Sequence, residues 1–334
     1  MSSVGIRDIA KAAGVSTATV SRALRGFATV DPELRDHVLA VADSLNYVGS
    51  PAAAALSTGK MNAIGIITPH LSRWSSMRMV GGIERELRGS GLDLVLYSMG
   101  DPNDPHPRPP IQRLRTRVDA FIAMSVAAES PDLEALLALD VPVCLIGTES
   151  DLVSCVLIDD TEGARTATSH LVALGHARIG LIFGRQIRDP LVLEHTRYLG
   201  YVAGLNDAGL EPQPELEVAG GFTIDGGEQA MHRLLDLPEP PTAVFAMSDE
   251  MAFGALRALA ARGLRAGRDL ALVGFDGHDM ADYLGLSTIA QPLEQIGGAA
   301  ATEILASLEE GDRPATKTVL GTRLVVRQSS RPRI

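Results

Sequence analysis

Residues 6–26 read IRDIAKAAGVSTATVSRALRG. Two short helical patterns meet at Gly14. In the first, Ile6, Ile9, Ala10 and Ala13 recur at the spacing of one helix face. The second runs from about Thr17 to Leu24, with Val20 and Leu24 on its inner side and Ser16 as its N-cap. Ala-Gly-Val-Ser supplies the turn between them, where glycine tolerates a positive φ. Together these features give helix-turn-helix geometry. The outward residues of the second helix are Thr17, Ala18, Ser21 and Arg22. They are small or hydrogen-bonding side chains with one long donor, which suits a helix lying in the major groove of DNA. A three-helix bundle with no ligand would read the same way from this stretch alone.

A third helix opens at Asp31 (N-cap) and Pro32 (first turn). Its inner stripe is Leu34, Val38, Ala42 and Leu45, and it ends at Asn46-Tyr47. Through Lys60 the chain has six basic residues (Arg7, Lys11, Arg22, Arg25, Arg35, Lys60) against five acidic ones (Asp8, Asp31, Glu33, Asp36, Asp43). The whole 334-residue chain carries a net charge of −11, so the rest is strongly acidic. Contact with nucleic acid is therefore expected to be confined to the first sixty residues. The length implies two or three domains. No signal peptide or apolar membrane span is apparent, which points to a cytoplasmic protein. The two cysteines, Cys144 and Cys155, sit in apolar strand-like runs and read as reduced core residues.

From residue 61 onward, strands and helices alternate, as in a parallel sheet with crossover helices. AIGIITP (63–69), LDLVLYSM (92–99), DAFIAMSV (119–126) and VPVCLIG (141–147) are near-continuous apolar runs, expected to be buried on both faces. CVLIDD (155–160) closes a first unit. RIGLIFG (178–184), TAVFAMSD (242–249) and LALVGFD (270–276) build a second. The fold class is thus α/β: a three-helix helix-turn-helix headpiece followed by two doubly wound parallel-sheet lobes with a cleft between them. Ligands in such sheets sit at the carboxyl ends of strands, where His70, Ser98, Asp159, Asp249 and Asp276 stand.

DIAKAAGVSTATVSRAL, followed by V-D-P-E-L-R and L-N-Y, resembles the headpiece of the LacI/GalR family of transcriptional regulators. The resemblance continues through AIGIITPHL, HLVALGHARIGLIFG, RYLGYVAGLNDAGL, PPTAVFAMSDEMAFGALRAL, LALVGFDG and LSTIAQPLEQIG, nearly the full chain. It implies a headpiece at 1–48, a hinge helix at 49–60 and an effector-binding, dimerising, periplasmic-binding-protein-like body at 61–334. One lobe would hold about 61–160 plus 291–320, the other about 161–290 plus 321–330. It implies a homodimer, with a tetramer open, on near-palindromic double-stranded operator DNA. Thr17, Ala18 and Arg22 would read base edges, Ser16, Thr19 and Ser21 would hold phosphates, and Tyr47 would join them. In the hinge, SPAAAALSTGK (50–60), Ala53 and Leu56 match the family's A-x-x-L, whose leucine wedges into the minor groove. Ala54 and Ala55 stand where relatives often carry a basic or polar residue, so this hinge is expected to fold more readily and to depend less on salt.

The resemblance also implies an effector site. Trp74 falls where the family packs an aromatic or apolar residue on the ligand, and Arg197 on its clamping arginine. Phe222 is the hinge-side aromatic, Asp276 the acidic acceptor, Ser248 replaces the usual asparagine, and Gln291 lies on a crossover. Trp74 also fits a core or interface position, and Arg197 with Asp276 also fits an interlobe salt bridge. The chain departs from the family at H-L-S-R-W, which lacks Asn-Pro-Phe, at Gly147 in place of an aspartate, and at GDPNDPHPRPP (100–110), read as a loop. The effector is expected to be a sugar or related metabolite.

No GxSxG, Walker-type loop, GxGxxG after the first strand or HExxH occurs, so neither catalytic residues, a metal nor a cofactor are expected. His170 and His176 are spaced poorly for metal ligation. Two alternatives share the fold: a ligand-independent dimeric DNA-binding protein, and a transport-type sugar-binding protein, which would lack the headpiece.

Overall fold

The computed structural model of the chain describes residues 4–24, 27, 29–47, 59–68, 71–99, 111–185, 187–188, 193–311 and 313–331. Ala53 and Leu56 of the expected hinge, His70, and the proline-rich stretch 100–110 lie outside these residues. The chain divides into two units, Met1–Met61 and Asn62–Ile334.

The first unit is built on local signals. Helix α1 (Ile6–Ala13) starts behind Gly5, whose N–H donates to the Asp8 carboxylate at 2.8 Å. It ends where Gly14 turns left-handed at φ 70°. Helix α2 (Thr17–Leu24) is capped by Ser16, whose Oγ accepts the Thr19 N–H at 3.1 Å. Helix α3 (Pro32–Ser44) follows Asp31, whose carboxylate accepts the N–H groups of Glu33 and Leu34 at 3.0 and 3.3 Å. Each such cap satisfies otherwise orphaned donors and is worth about 1 kcal/mol. Ile9, Ala10, Val20, Ala23, Val38 and Ala42 form the core, with Tyr47 packed partly buried against it. Leu24, expected inside, is only half-buried, and Ala23 takes the deep position. The small methyl lets α2 approach its neighbours closely.

The second unit holds two six-stranded sheets. The first runs β11-β5-β4-β3-β1-β2, from β1 (Ala63–Thr68), β2 (Asp93–Ser98), β3 (Ala120–Met124), β4 (Val143–Ile146), β5 (Ser154–Ile158) and β11 (Lys317–Leu320), all parallel. The second runs β12-β10-β9-β8-β6-β7, from β6 (Ile179–Phe183), β7 (Glu217–Ala219), β8 (Ala243–Ala246), β9 (Ala271–Asp276), β10 (Ser287–Ala290) and β12 (Arg323–Val325). Only β12 is antiparallel, paired to β10. Strands β1, β3, β4, β8 and β9 are buried along their whole lengths, as central parallel strands must be. Strand β2 departs from that expectation. It lies at the sheet edge and is half to fully exposed, with Leu96 42% exposed.

Helices α4 (Trp74–Leu87) and α11 (Leu293–Glu310) pack with the first sheet over Ile64, Ile66, Ile83, Ile122, Ile296 and Ala300. Helices α6 (Asp160–Ala173), α7 (Leu193–Asn206), α8 (Ile224–Leu235) and α9 (Asp249–Ala261) belong with the second, around Leu181, Phe245, Leu272 and the fully buried Tyr201. Short helices α5 (Pro131–Leu137) and α10 (Met280–Tyr283) complete the unit. The chain passes between lobes three times: from β5 into α6, from β10 into α11, and from β11 into β12. Cys144 and Cys155 are both free and buried, and burial pushes the Cys144 thiol up to about 12, which leaves it un-ionised.

Candidate functional site

On α2, the side chains of Thr17, Ala18 and Arg22 are exposed along one face. Ser16 Oγ and Thr19 Oγ1 lie 2.9 Å apart, so the cap also orients the threonine hydroxyl. Ser21 and Thr19 are half-buried at the rim of that face. A short, well-capped helix with one long donor and small neighbours can enter a groove without steric conflict.

The second constellation gathers where the two lobes meet, at the carboxyl ends of β1, β9 and β10. From the second lobe comes Arg197 on α7, only 6% exposed. Its Nε donates to Asp160 Oδ1 at 2.7 Å and its Nη1 to the Met247 carbonyl at 2.7 Å. The guanidinium lies 3.8 Å from the centroid of the Phe275 ring. Asp276 ends β9 at φ 124°, a backbone region that non-glycine residues rarely occupy. Its Oδ1 accepts the Gln291 amide at 2.6 Å and stands 3.9 Å from Arg197 Nη1. Burial pushes the Asp276 carboxyl up to about 6, against the pull of Arg197 and Arg73. The Asp160 carboxyl is also raised by burial, with Arg197 opposing.

Asp249, at the start of α9, is fully buried. Its Oδ2 accepts the His278 N–H at 2.7 Å, while Oδ1 has no hydrogen-bond partner. Burial, reinforced by the Asp276 carboxylate, holds this carboxyl well above the usual range. Ser248 differs from the expectation of a ligand contact. It has no exposed surface, and its Oγ accepts the Met251 N–H at 3.3 Å as the cap of α9. A hydroxyl placed there satisfies the helix end, which an alkyl side chain could not do.

The first lobe contributes the start of α4. Trp74 is half-buried and stacks on His278 of the other lobe, ring centroids 4.3 Å apart and planes 28° apart. Its Nε1 donates to Asp279 Oδ2 at 3.4 Å. Phe253 meets the same imidazole edge-on at 5.0 Å. Burial pulls the His278 imidazole below its ordinary value. Arg73, which the sequence reading passed over, reaches further across. Its guanidinium covers the Phe222 ring at 4.2 Å, its Nε lies 3.6 Å from Glu250 Oε2, and its Nη2 lies 3.9 Å from Asp276 Oδ2. Its Nε is buried with no hydrogen-bond acceptor. An unmet buried donor of this kind costs about 1–3 kcal/mol.

The structure therefore brings Arg197, Asp276, Gln291 and Phe222 into one neighbourhood, with Trp74 at its edge. The interlobe salt bridge belongs to Arg73, while Arg197 pairs with Asp160 inside its own lobe. Asp160 was missed in favour of its neighbour Asp159, which is exposed and caps α6 through the Glu162 N–H at 2.8 Å. The signals were present in the sequence: the lone basic residue in H-L-S-R-W, and the second carboxylate of each of the pairs Asp159-Asp160 and Asp249-Glu250. Two cavities flank the gathering. One of about 600 Å³ runs past Trp74, Gly277 and Gln291 between α4 and α11. Another of about 330 Å³ is bordered by Gly147, Asp160, Thr196 and Val319. Among the described residues, no cluster of three His, Cys, Asp or Glu could hold a metal ion, and no helix is long and apolar enough to cross a membrane.

Residues 5–50 match the model of bacterial regulatory proteins of the lacI family, and residues 168–330 match that of a periplasmic binding protein-like domain. The chain is 31% identical to the HTH-type transcriptional repressor CytR of Escherichia coli (strain K12), covering 98% of this chain and 96% of that protein. It is 30% identical to the probable HTH-type transcriptional repressor ExuR of Bacillus subtilis (strain 168), over 98% of both. Among solved structures, a lac repressor dimer bound to operator and the anti-inducer ONPF superposes with a TM-score of 0.83 at 27% identity, covering 98% of this chain and 99% of that one. A complex of the transcriptional regulator CelR with cellobiose gives 0.71 at 30% identity, over 98% and 99%. Headpiece, paired lobes and comparisons agree: the chain is a DNA-binding transcriptional regulator that belongs to the lacI family of bacterial regulatory proteins.

Proposed function

We propose that the chain represses transcription as a homodimer on a near-palindromic operator, and that a small-molecule effector bound between the two lobes sets its affinity for that DNA. The observation that carries this reading is the convergence of Arg197, Asp276, Gln291 and Phe222 with Arg73 and Trp74 of the facing lobe. Aromatic faces beside paired charged groups suit a sugar or related metabolite. The cellobiose and ONPF complexes of the two similar regulators support that class. We assign 1–48 to the headpiece, 49–60 to the hinge and 61–334 to the effector body, with 291–320 completing the first lobe and 321–330 the second. Exposed Met280, Tyr283 and Leu284 form an apolar patch that supports dimerisation. Activity on DNA sets the protein in the cytoplasm, and its role is regulatory, with no catalytic step.

On α2 we assign base reading to Thr17, Ala18 and Arg22 and phosphate contacts to Ser16, Thr19 and Ser21. Tyr47, Ala53 and Leu56 extend the DNA contact surface. Arg22 is suited to pair bidentately with a guanine, worth about 1–3 kcal/mol of discrimination. Arg22→Ala should lower the ratio of operator to scrambled-DNA affinity by roughly ten-fold or more in gel shifts, a factor of ten being about 1.4 kcal/mol. An unchanged ratio would remove Arg22 from the reading surface. Gel shifts on DNA upstream of the chain's own gene, with and without candidate sugars, test the effector reading. A shift that no candidate alters would favour the ligand-independent alternative.

A further inference from the structure

Arg73 is held in a setting that is itself a recognition site for cations. An aromatic face at 4.2 Å and two carboxylates, Glu250 at 3.6 Å and Asp276 at 3.9 Å, converge on its guanidinium. That combination is the chemistry by which proteins bind ammonium and guanidinium groups. The seat and its occupant come from different lobes. Phe222, Glu250 and Asp276 all stand on the second lobe, whereas Arg73 enters from the first, at the N-cap of α4.

The seat is well built and the occupant is loosely held. Phe222 sits at φ 57° with its ring against Gly184, where a Cβ would collide with it, so its position is tightly defined. Asp276 is fixed by the Gln291 amide. Arg73, by contrast, reaches neither carboxylate within hydrogen-bonding distance, and its Nε is buried with no acceptor. The charges on the second lobe point the same way. Asp160 and Asp276 share one guanidinium, Arg197, and Glu250 is paired with Arg73, so carboxylates are in excess once Arg73 is withdrawn.

We propose that Arg73 is an internal competitor in a cation-binding subsite formed by Phe222, Glu250 and Asp276, and that ligands carrying a protonated amine or a guanidinium enter the cleft by displacing it. The inference rests on the reading of this cleft as the effector site. It adds that a ligand anion would meet Glu250 and Asp276 with only Arg197 to offset them, so amine-bearing compounds outrank their neutral and carboxylate analogues.

Ethylguanidinium chloride provides the direct probe, read by thermal shift on the full-length chain at low millimolar concentrations, with potassium chloride matched for ionic strength. In Arg73→Ala the seat is vacated, and the half-saturating concentration of ethylguanidinium should fall at least ten-fold relative to the wild type. Arg73→Gln, which keeps a long polar stem, should give a smaller gain in the same direction and serves if the alanine variant folds poorly. Adding Glu250→Gln to Arg73→Ala should abolish the gain. In calorimetry on Arg73→Ala, glucosamine should bind at least ten-fold more tightly than glucose, and glucuronate more weakly than either. Equal response of wild type and both Arg73 variants, or a gain that survives Glu250→Gln, overturns the subsite. These readouts involve no DNA. Release of operator by a neutral sugar, together with no ethylguanidinium gain, would refute the subsite and leave the effector reading intact. An ethylguanidinium gain without any effect of ligands on operator binding would uphold the subsite and refute the effector reading.

Discussion

The two lobes share one architecture, a six-stranded sheet with five of its strands in the same order of crossovers, yet they furnish the cleft in opposite ways. The second lobe presents a network already made. Arg197 is bonded to Asp160 and to the Met247 carbonyl, Asp249 to the His278 backbone, and Asp276 to Gln291 on the crossover that leaves the lobe. Among the described residues, the first lobe meets it with the beginning of one helix, Arg73 and Trp74, through a salt bridge at 3.6–3.9 Å, a ring stack and a 3.4 Å hydrogen bond. One half is organised before anything binds, and the other touches it through contacts that can be exchanged. Binding free energy is best used when the larger part of a site is preorganised, and a switch requires that some part of it is not.

The sharpest way to break this contrast is Arg197→Ala. It leaves the Asp160 carboxylate buried without its partner, and removing one member of a buried pair costs about 3–5 kcal/mol. Urea unfolding should show that loss, with Arg197→Lys recovering part of it through a single donor. A loss below about 1 kcal/mol would mean the second lobe is not held by this pair.

Asp276 gives the next effect, through pH. Its folded value of about 6 lies above the 3.8 of a free carboxyl. The folded state therefore retains the proton more strongly, and this contribution is fully present below about pH 4 and lost as pH rises through 6. Asp276→Asn has no such proton to lose. Its stability relative to the wild type should improve between pH 4.5 and 7, by up to about 3 kcal/mol at 1.36 kcal/mol per pKa unit. Parallel pH profiles from thermal unfolding would count against the buried carboxyl.

The smallest effect belongs to the exchangeable half. Trp74 is the one tryptophan of the chain, so its fluorescence reports its stack on His278. Because burial depresses the imidazole's affinity for a proton, the stack contains neutral His278 at pH 7, and protonation on acidification should quench the indole with a midpoint below 6.5. His278→Gln should abolish that quenching while changing stability by about 0.5–1.5 kcal/mol, the worth of an aromatic pair. Quenching that persists in His278→Gln would place the responsible group elsewhere.

The central strands were legible because parallel strands buried on both faces must be continuous apolar runs, and β1, β3, β4, β8 and β9 are. The headpiece was legible because its caps, Ser16 and Asp31, are local signals. Strands β7, β10, β11 and β12 were not read as strands. They are three or four residues long, and three of them are half-exposed, so neither length nor hydrophobicity marks them. In the cleft, Arg197 and Asp276 stood out by resemblance, whereas Arg73, Glu250 and Asp160 did not. Each of these acts through a partner far away in sequence, and nothing in its own neighbourhood of the chain announces that partner. Ser248 misled for the converse reason. A polar residue at a strand end serves a ligand or a helix cap equally well, and the choice rests on which way the following helix turns.

The three passages of the chain between the lobes also set an order of assembly during synthesis. The core of the helix-turn-helix unit is made by residues no further along the chain than Tyr47, so it can be complete while most of the chain is unmade. Neither sheet can be. The first lobe lacks α11 and the edge strand β11 until residues 293–320 emerge, and the second lacks β12 until 323–325. Contacts so distant in sequence form slowly, and exposed strand edges invite aggregation while they wait. The ribosome thus exposes a folded DNA reader well before either sheet is whole, and residues 317–325, which add an edge strand to each lobe, emerge after all the other named strands.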